Sequence, residues 1–524
     1  MAVLNLLGST LPAMAVTAAL MPFAGRLGGG RACWALSMAS SLLAALTATA
    51  LFAAVGDEPL VYTFGGWPPH VGVNYAVDRL SALMGFFIAW GMVAVVAYSR
   101  WYGSRLSEPA RYYALLTGLE VGMLACVYTG DVFNLFVMLE VLGMSAYGLV
   151  AYHREKAESV EGAVKYALIG SLATSFYFAA VMILYATYGS LNAALLASLA
   201  RSRREAGHVY ASALALALSL WVFTFKSALF PNHFWLPDAL AGASPPVAAA
   251  ISGLADSVGV YAVLRFLYTI FGPDSAVGGG FRNAVLAALF ILGSVGSVVG
   301  ALMAMIQTDL RRLLAYSAVS HVGLVYVGLS VGLSGGGSGV ELAVAGALAH
   351  AVSHGLSSTL LFMAAGVFAE GSGTYSLDGM RGVGRRHPAA LAAFALGLFN
   401  LVGLIPFLGF YSKLAIALGC MEAGLVPGSM VVVAVSALSL PAYMKALYAV
   451  AFAAGGEAVT GRSSWVEAIP LLLALTLLVA GSLFPWVQAA FEGAARSVAT
   501  GEGVRSYVEG VLRLIPAELL GGGP

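Results

Sequence analysis

The sequence predicts an all-α polytopic membrane protein of about 14 transmembrane helices, on three observations. Apolar residues make up 60% of the 524 and charged residues only 10%, against about 25% charged in soluble domains. Mean hydropathy is +0.88. Apolar stretches near the roughly 20 residues that cross a bilayer recur along the whole chain. A compact soluble chain of this size needs more polar surface than this one has. A disordered chain, a coiled coil and a secreted disulfide scaffold are excluded by the same composition. A net charge of +1 gives no electrostatic basis for binding nucleic acid. Cys33, Cys126 and Cys420 stand far apart with no CxxC. They read as small core residues rather than iron–sulfur or zinc ligands.

In chain order, the spans are 3–25, 33–55, 79–99, 112–128, 132–152, 162–188, 209–230, 246–271, 283–305, 312–333, 341–369, 388–418 (interrupted), 429–451 and 466–490. No basic residue precedes Arg26, so the first span reads as a retained helix rather than a cleaved signal. Between the second and third spans, VYTFGGWPPHVGVNYA (61–76) sets two β-prone runs around a turn-rich centre, which predicts a hairpin. Asp78 and Arg79 open the third span and are expected to form an interfacial ion pair. Asp131 opens the fifth as a boundary residue. Ser244-Pro245 opens the eighth as a cap followed by proline in the first turn, and Thr308 and Asp309 open the tenth as caps. The amphipathic tail, 503–520, is expected along the membrane surface or against a partner.

Positive charge orients the spans. With the N-terminus outside, 13 basic residues fall in inside loops: Arg26, Arg31, Arg100, Arg105, Arg111, Arg154, Lys156, Arg311, Arg312, Arg381, Arg385, Arg386 and Arg462. Seven fall outside: Arg201, Arg203, Arg204, Arg282, Arg496, Arg505 and Arg513. Both termini are therefore expected outside the cell membrane, although Arg201 to Arg204 run against the rule.

Function is sought among the ionisable residues inside the spans. A charge at the centre of a helix costs about 2.5–3.5 kcal/mol on insertion scales, so such residues pair or line a hydrated path. Glu120, Glu140, Lys165, Lys226, Asp256, His321, His350, His354 and Lys413 are of this kind. Acids, bases and histidines spread over many helices suit proton transfer better than one structural ion pair. A buried lysine whose carboxylate partner moves can bind and release a proton, and histidine titrates near neutrality unaided. Lys226 lies five residues before Pro231 in FKSALFPNHFWLPDAL, and Lys413 seven residues after Pro406 in NLVGLIPFLGFYSK. Proline breaks a helix. Two broken helices, each with a nearby lysine, point to an inverted repeat with central sites. The repeats would be 111–271 (spans four to eight) and 283–451 (spans nine to thirteen), flanked by an N-terminal unit 1–110 and a C-terminal unit 466–524. For Glu140 the plainer reading is a salt bridge to Lys165 or Lys226, and Lys165, nearer the end of its span, can snorkel. His350 and His354 share a helix face. They read as a relay or as satisfied core histidines, with no second spaced pair to complete a metal or haem site. Asp238 reads as a cap or ion pair.

Together these segments resemble a known family. It is the antiporter-like, proton-channel subunit shared by respiratory complex I, membrane-bound hydrogenases and the Mrp-type multisubunit cation/proton antiporters. The resemblance rests on GGWPPHVGVNYAVDRLSALM (65–84), GDVFNLFVMLE (130–140), AVKYALIGS (163–171), FKSALFPNHFWLPDA (225–239), DLRRLLAYSAVSHVG (309–323), HAVSHGLSSTLLF (350–362) and GLIPFLGFYSK (403–413). The first of these looks most like the D-type subunit of Mrp systems. The resemblance implies 14 helices, two inverted five-helix repeats, a hydrophilic axis in the membrane plane and other membrane subunits as partners. It implies proton translocation, with or without sodium, in either a cation/proton antiporter or a redox-driven pump. The family's glutamate of helix 5 matches Glu140. Its lysine of broken helix 7 matches Lys226, its lysine or glutamate of broken helix 12 matches Lys413, and its histidines of helices 10 and 11 match His321, His350 and His354. One position departs from the pattern. Where the family carries a lysine in helix 8 (GLLxKVGxY), this chain reads GLADSVGVY, with Ser257 in its place and Asp256 before it. Three readings follow: a serine carrying the proton with water, an acid that reverses the local charge, or a broken link in a structural subunit. The expectation is that Asp256 partners Lys226. No nucleotide, flavin, metal or iron–sulfur motif is found, so no cofactor is expected in this chain.

Overall fold

The computed structural model describes residues 2–454 and 465–516; Arg462 and the tail beyond residue 516 lie outside them. α1 (Ala2–Ala54) takes up the first two predicted spans. It reverses at Gly29, whose φ of 61° and ψ of −153° suit a residue without a Cβ. The Thr10 and Thr47 hydroxyls then meet at 2.9 Å across 37 residues, which a straight helix would hold about 55 Å apart at 1.5 Å per residue.

The expected hairpin follows: β1 (Leu60–Thr63) pairs antiparallel with β2 (Asn74–Val77), Val61 opposite Ala76. α2 (Arg79–Tyr102) is capped by Asp78, which accepts from the Ser81 N–H at 2.9 Å. α3 (Pro109–Tyr128) leads to α4 (Val132–Val150), capped by Asp131 through the Asn134 N–H at 2.7 Å. α5 (Ala157–Tyr188), the short amphipathic α6 (Ala193–Ser202) and α7 (Ala206–Lys226) come next. α7 breaks after Lys226 and resumes as α8 (Leu236–Gly242).

The eighth span is one rod, Pro245–Ile270. It is built of α9 (Pro245–Ala250), a π turn (Ile251–Ala255), α10 (Asp256–Leu264) and a second π turn (Arg265–Ile270). α11 (Gly280–Ile306), α12 (Leu310–Leu329) and α13 (Ser338–Ser372) follow, with Asp309 capping α12 through the N–H groups of Arg311 and Arg312. The second break separates α14 (Pro388–Val402) from α15 (Leu408–Glu422). α16 (Val426–Ala451), α17 (Ala468–Ser482), α18 (Phe484–Ala499) and α19 (Gly501–Leu512) complete the chain.

Eleven of the described helices are long and apolar enough to cross a membrane. The rest of the 14 expected spans are accounted for by particular residues. Two of them share α1. α3 is long enough but carries Arg111, Glu120 and three tyrosines. The twelfth is split into two pieces of 15 residues each.

The rod Pro245–Ile270, α12 and α13 form the buried centre. α5, α11 and α16 turn apolar residues such as Leu168, Ile291 and Val433 outward, as helices facing lipid do. The described part of the tail packs on its own chain. Val504, Tyr507, Val508 and Val511 pack on Ala76 of the hairpin and on Ala194 and Ala197 of α6. The Ser506 hydroxyl donates to the Asp57 carbonyl and Arg513 pairs with Glu58, each at 2.8 Å.

Candidate functional site

Lys226 is the last residue of α7 and is 2% exposed. Its Nζ lies 3.5 Å from the Tyr147 hydroxyl and 5.5 and 5.9 Å from the ring centres of Tyr147 and Tyr166. Gly143 lies close opposite: a Cβ there would stand 3.1 Å from that Nζ. Two residues on, Ala228 adopts φ 55°, a strained conformation for a residue with a side chain, of the sort that collects at functional sites. The break is held by neighbours. Trp235 donates its indole N–H to the Phe225 carbonyl at 3.1 Å, and Asn232 donates to the Thr224 hydroxyl at 3.0 Å. Glu140, Gly143 and Tyr147 fall at i, i+3 and i+7 on α4, one face of the helix. Among the described residues Glu140 forms no ion pair within 4 Å, so the expected Glu140–Lys226 pair is not made.

The second lysine sits at the other break. Lys413 is 5% exposed and donates to the Leu401 carbonyl (2.7 Å), the Val402 carbonyl (3.1 Å) and the Ser436 hydroxyl (3.0 Å). Lys413 thus meets the carbonyl end of α14, where a cation is favoured. Asn400 fixes this break by donating to the Ser353 and Ser357 hydroxyls of α13 and accepting from the Gly409 N–H of α15.

A chain of buried side chains leads away from the second break. Ser317 and Tyr443 share a hydrogen bond of 2.6 Å, Tyr443 and His321 one of 2.8 Å, His321 and His350 one of 3.1 Å, and His350 and Ser412 one of 2.9 Å. Ser412 adjoins Lys413 on α15. The His354 ring stacks on His321 at 5.4 Å, and its Nε2 lies 3.6 Å from Asp256 Oδ2. Asp256 therefore faces His354, and the expected pairing with Lys226 is replaced. The Ser257 hydroxyl is spent on its own backbone, donating to the Leu254 carbonyl at 2.5 Å.

Tyr443 was not legible as a site residue, because a hydroxyl in an apolar run carries no charge to betray it. Replacing Tyr443 with Phe takes a partner from both His321 and Ser317. A buried hydrogen bond is worth on the order of 1 kcal/mol, so Tyr443→Phe is expected to slow proton flux about 5- to 10-fold in vesicles with assembly intact. A flux within twofold of wild type would remove Tyr443 from the path.

Other expected residues lie off this axis. The Lys165 side chain is 43% exposed and donates at 2.6 Å to both Glu161 and Asp238. Arg312 also reaches Asp238, at 2.8 Å. Burial works to raise the Asp238 carboxyl, and its bonds to Lys165 and Arg312 outweigh that and hold it below the usual carboxylate range. Lys165 therefore belongs to a rim of ion pairs tying α5, α8 and α12. Glu120 is fully buried, with one oxygen accepting from Ser41 at 2.5 Å and the other without a partner. Asp78 pairs not with Arg79 but with Arg265, through two bonds of 2.7 and 2.9 Å, while Arg79 pairs with exposed Asp57 at 2.9 Å.

Comparison with known proteins matches this architecture. The family model described as NADH:quinone oxidoreductase/Mrp antiporter, transmembrane, matches residues 129–439. Over 372 residues, 71% of each chain, the protein is 34% identical to the N-type subunit of the NADH-quinone oxidoreductase of Desulforudis audaxviator. Over 360 residues, covering 68% of this chain and 69% of the relative, it is 31% identical to the D-type subunit of the Na(+)/H(+) antiporter of Alkalihalophilus pseudofirmus. A chain of the membrane-bound sulfane sulfur reductase, an archaeal respiratory membrane complex, superposes with a TM-score of 0.86 at 26% identity, covering 97% of this chain and 100% of that one.

Proposed function

Because the chain belongs to the NADH:quinone oxidoreductase/Mrp antiporter transmembrane family, we propose that it is a proton-translocating subunit of a multisubunit membrane complex. The observation that carries this reading is the buried run Ser317–Tyr443–His321–His350–Ser412, which ends beside Lys413 at the second broken helix, while Lys226 is buried at the first. Imidazole and hydroxyl groups at hydrogen-bond distance pass protons along such a line. Lys226, with Glu140 opposite on α4, is the proton-binding gate of the first half. His321 and His350 relay, His354 and Asp256 stand at the centre, and Lys413 is the far-end base. The two breaks support a repeat of 111–271 and 283–451, and the excess of basic residues in alternate loops supports both termini outside.

We read the complex as a cation/proton antiporter. The GGWPP hairpin supports this, and so does similarity to a relative named as part of an Na(+)/H(+) antiporter. The second reading is a redox-driven proton pump, favoured by similarity to a relative named as part of an NADH-quinone oxidoreductase. Inside-out vesicles carrying the whole assembly and a fluorescent ΔpH reporter separate the two. If an independent pump sets ΔpH and added sodium collapses it, the antiporter holds. If sodium has no effect, and an electron donor and acceptor build ΔpH instead, the redox pump replaces it.

A further inference from the structure

The rod Pro245–Ile270 touches both halves of the axis. On one side a Cβ at Gly259 would stand 2.4 Å from the Phe223 carbonyl and 2.7 Å from the Ser227 nitrogen, so α10 lies against the end of α7 that carries Lys226. The Ser227 and Tyr326 hydroxyls, 2.7 Å apart, bridge α7 to α12 at the same level. On the other side the rod runs antiparallel along α13. Ala249 meets Thr359, Ser252 meets Ser358 at 2.7 Å, Gly253 meets Gly355, and Asp256 meets His354. Residues 249, 252, 253 and 256 are one face of a helix. A Cβ at Gly355 would stand 2.3 Å from the Gly253 carbonyl, and small residues of this kind let two membrane helices approach closely.

The face toward α13 thus ends on Asp256, while Ser257 turns its hydroxyl back on Leu254. The π turn Ile251–Ala255 lies immediately before Asp256, and π turns concentrate at functional sites. Asp256 Oδ2 and both ring nitrogens of His354 are buried without a hydrogen-bond partner, although they stand 3.6 Å apart. Buried polar groups left unsatisfied are costly, and here the two groups face one another.

We propose that Asp256 and His354 form a carboxylate–imidazole couple that carries protons between the two halves of the axis, with the acid taking over the place of the base expected on this helix. The inference rests on the proton-translocating reading and names its central carrier. A proton released from the Lys226 ammonium, carried across by water between α7 and the rod, adds to the Asp256 carboxylate. The carboxylic acid then gives it to His354 Nε2, and the imidazole passes it toward His321. Each step breaks one N–H or O–H bond and forms another, and no oxidant or reductant is required. A contraction of a few tenths of an ångström along the contact completes the hydrogen bond.

The test measures proton flux in vesicles carrying the full complex, with variant levels matched by immunoblot. Asp256→Asn and His354→Gln are each expected to cut flux at least 10-fold. The double variant should fall no further than either single one, and Asp256→Glu should retain most of the flux. Infrared difference spectra across a pH jump provide the independent readout. A carboxyl C=O band should vanish in Asp256→Asn and shift in His354→Gln, which a merely structural aspartate would not show. Lys226→Ala is run alongside. If it abolishes flux while Asp256→Asn does not, the couple is wrong and the proton-translocating reading stands. If Lys226→Ala also leaves flux intact, the reading itself fails. If Ser257→Ala abolishes flux and Asp256→Asn does not, the serine is the carrier and the proposal is overturned.

Discussion

Lys226→Ala is expected to reduce proton flux through the assembled complex by about 100-fold or more. A positioned acid–base side chain contributes typically 10²- to 10⁴-fold to a proton-transfer rate, and Lys226 is the cation that ends α7 at the first break. Its surroundings leave little scope for replacement. Tyr147, Tyr166 and Gly143 enclose the Nζ, and the helix ends at that residue. The substitution should leave folding largely intact, because it removes a buried charge that has no ion-pair partner rather than stranding one. Flux by ΔpH decay, with assembly followed by native electrophoresis, checks both parts. Wild-type flux in fully assembled Lys226→Ala would mean a subunit that serves only as structure.

Asp78→Ala is expected to destabilise the protein by about 3–5 kcal/mol, the usual cost of breaking a buried ion pair from one side. The pair is well built. Arg265 and Asp78 are each about 5% exposed or less, and two N–H···O bonds join them. Ser81 and Tyr261 take further guanidinium N–H groups, and the Tyr507 ring covers the guanidinium at 4.6 Å. Losing Asp78 strands that guanidinium and also uncaps α2. Thermal unfolding in detergent should show a large fall in midpoint. A second variant, Asp78→Asn with Arg265→Gln, should recover much of it by removing both charges. If Asp78→Ala unfolds within a degree or two of wild type, water reaches Arg265 and the pair is not buried in the membrane protein.

What the sequence revealed and what it withheld divide along the cost of burial. Glu140, Lys226, Asp256 and Lys413 stood out because a charge in an apolar run needs a reason. Tyr443, Ser412 and Tyr326 did not, because hydroxyls are common in membrane helices and say nothing of their partners. Pairings across long distances were invisible for a different reason. Asp78 sits next to Arg79 in the chain, yet its partner is 187 residues away. Lys165 has Glu161 one turn back and Asp238 a further 73 residues on, so it reads as an interior charge until α8 is in place. The spans themselves were legible from apolar length alone. Their bending was not: the reversal at Gly29 depends on a single backbone conformation. The neighbours of Asp256 were likewise hidden, since they depend on which face the rod turns to α13.

The tail's hold on the hairpin sets an order of events during synthesis. Ser506 and Asp57 are 449 residues apart in the chain, and Arg513 and Glu58 are 455 apart. At about 5–20 residues per second on the ribosome, β1 and β2 wait roughly 20–90 s before α19 exists to cover them. Once Arg265 has been made, the Asp78–Arg265 pair still waits for the Tyr507 ring above it. The hairpin and α19, made far apart in time, meet only once α19 has been synthesised.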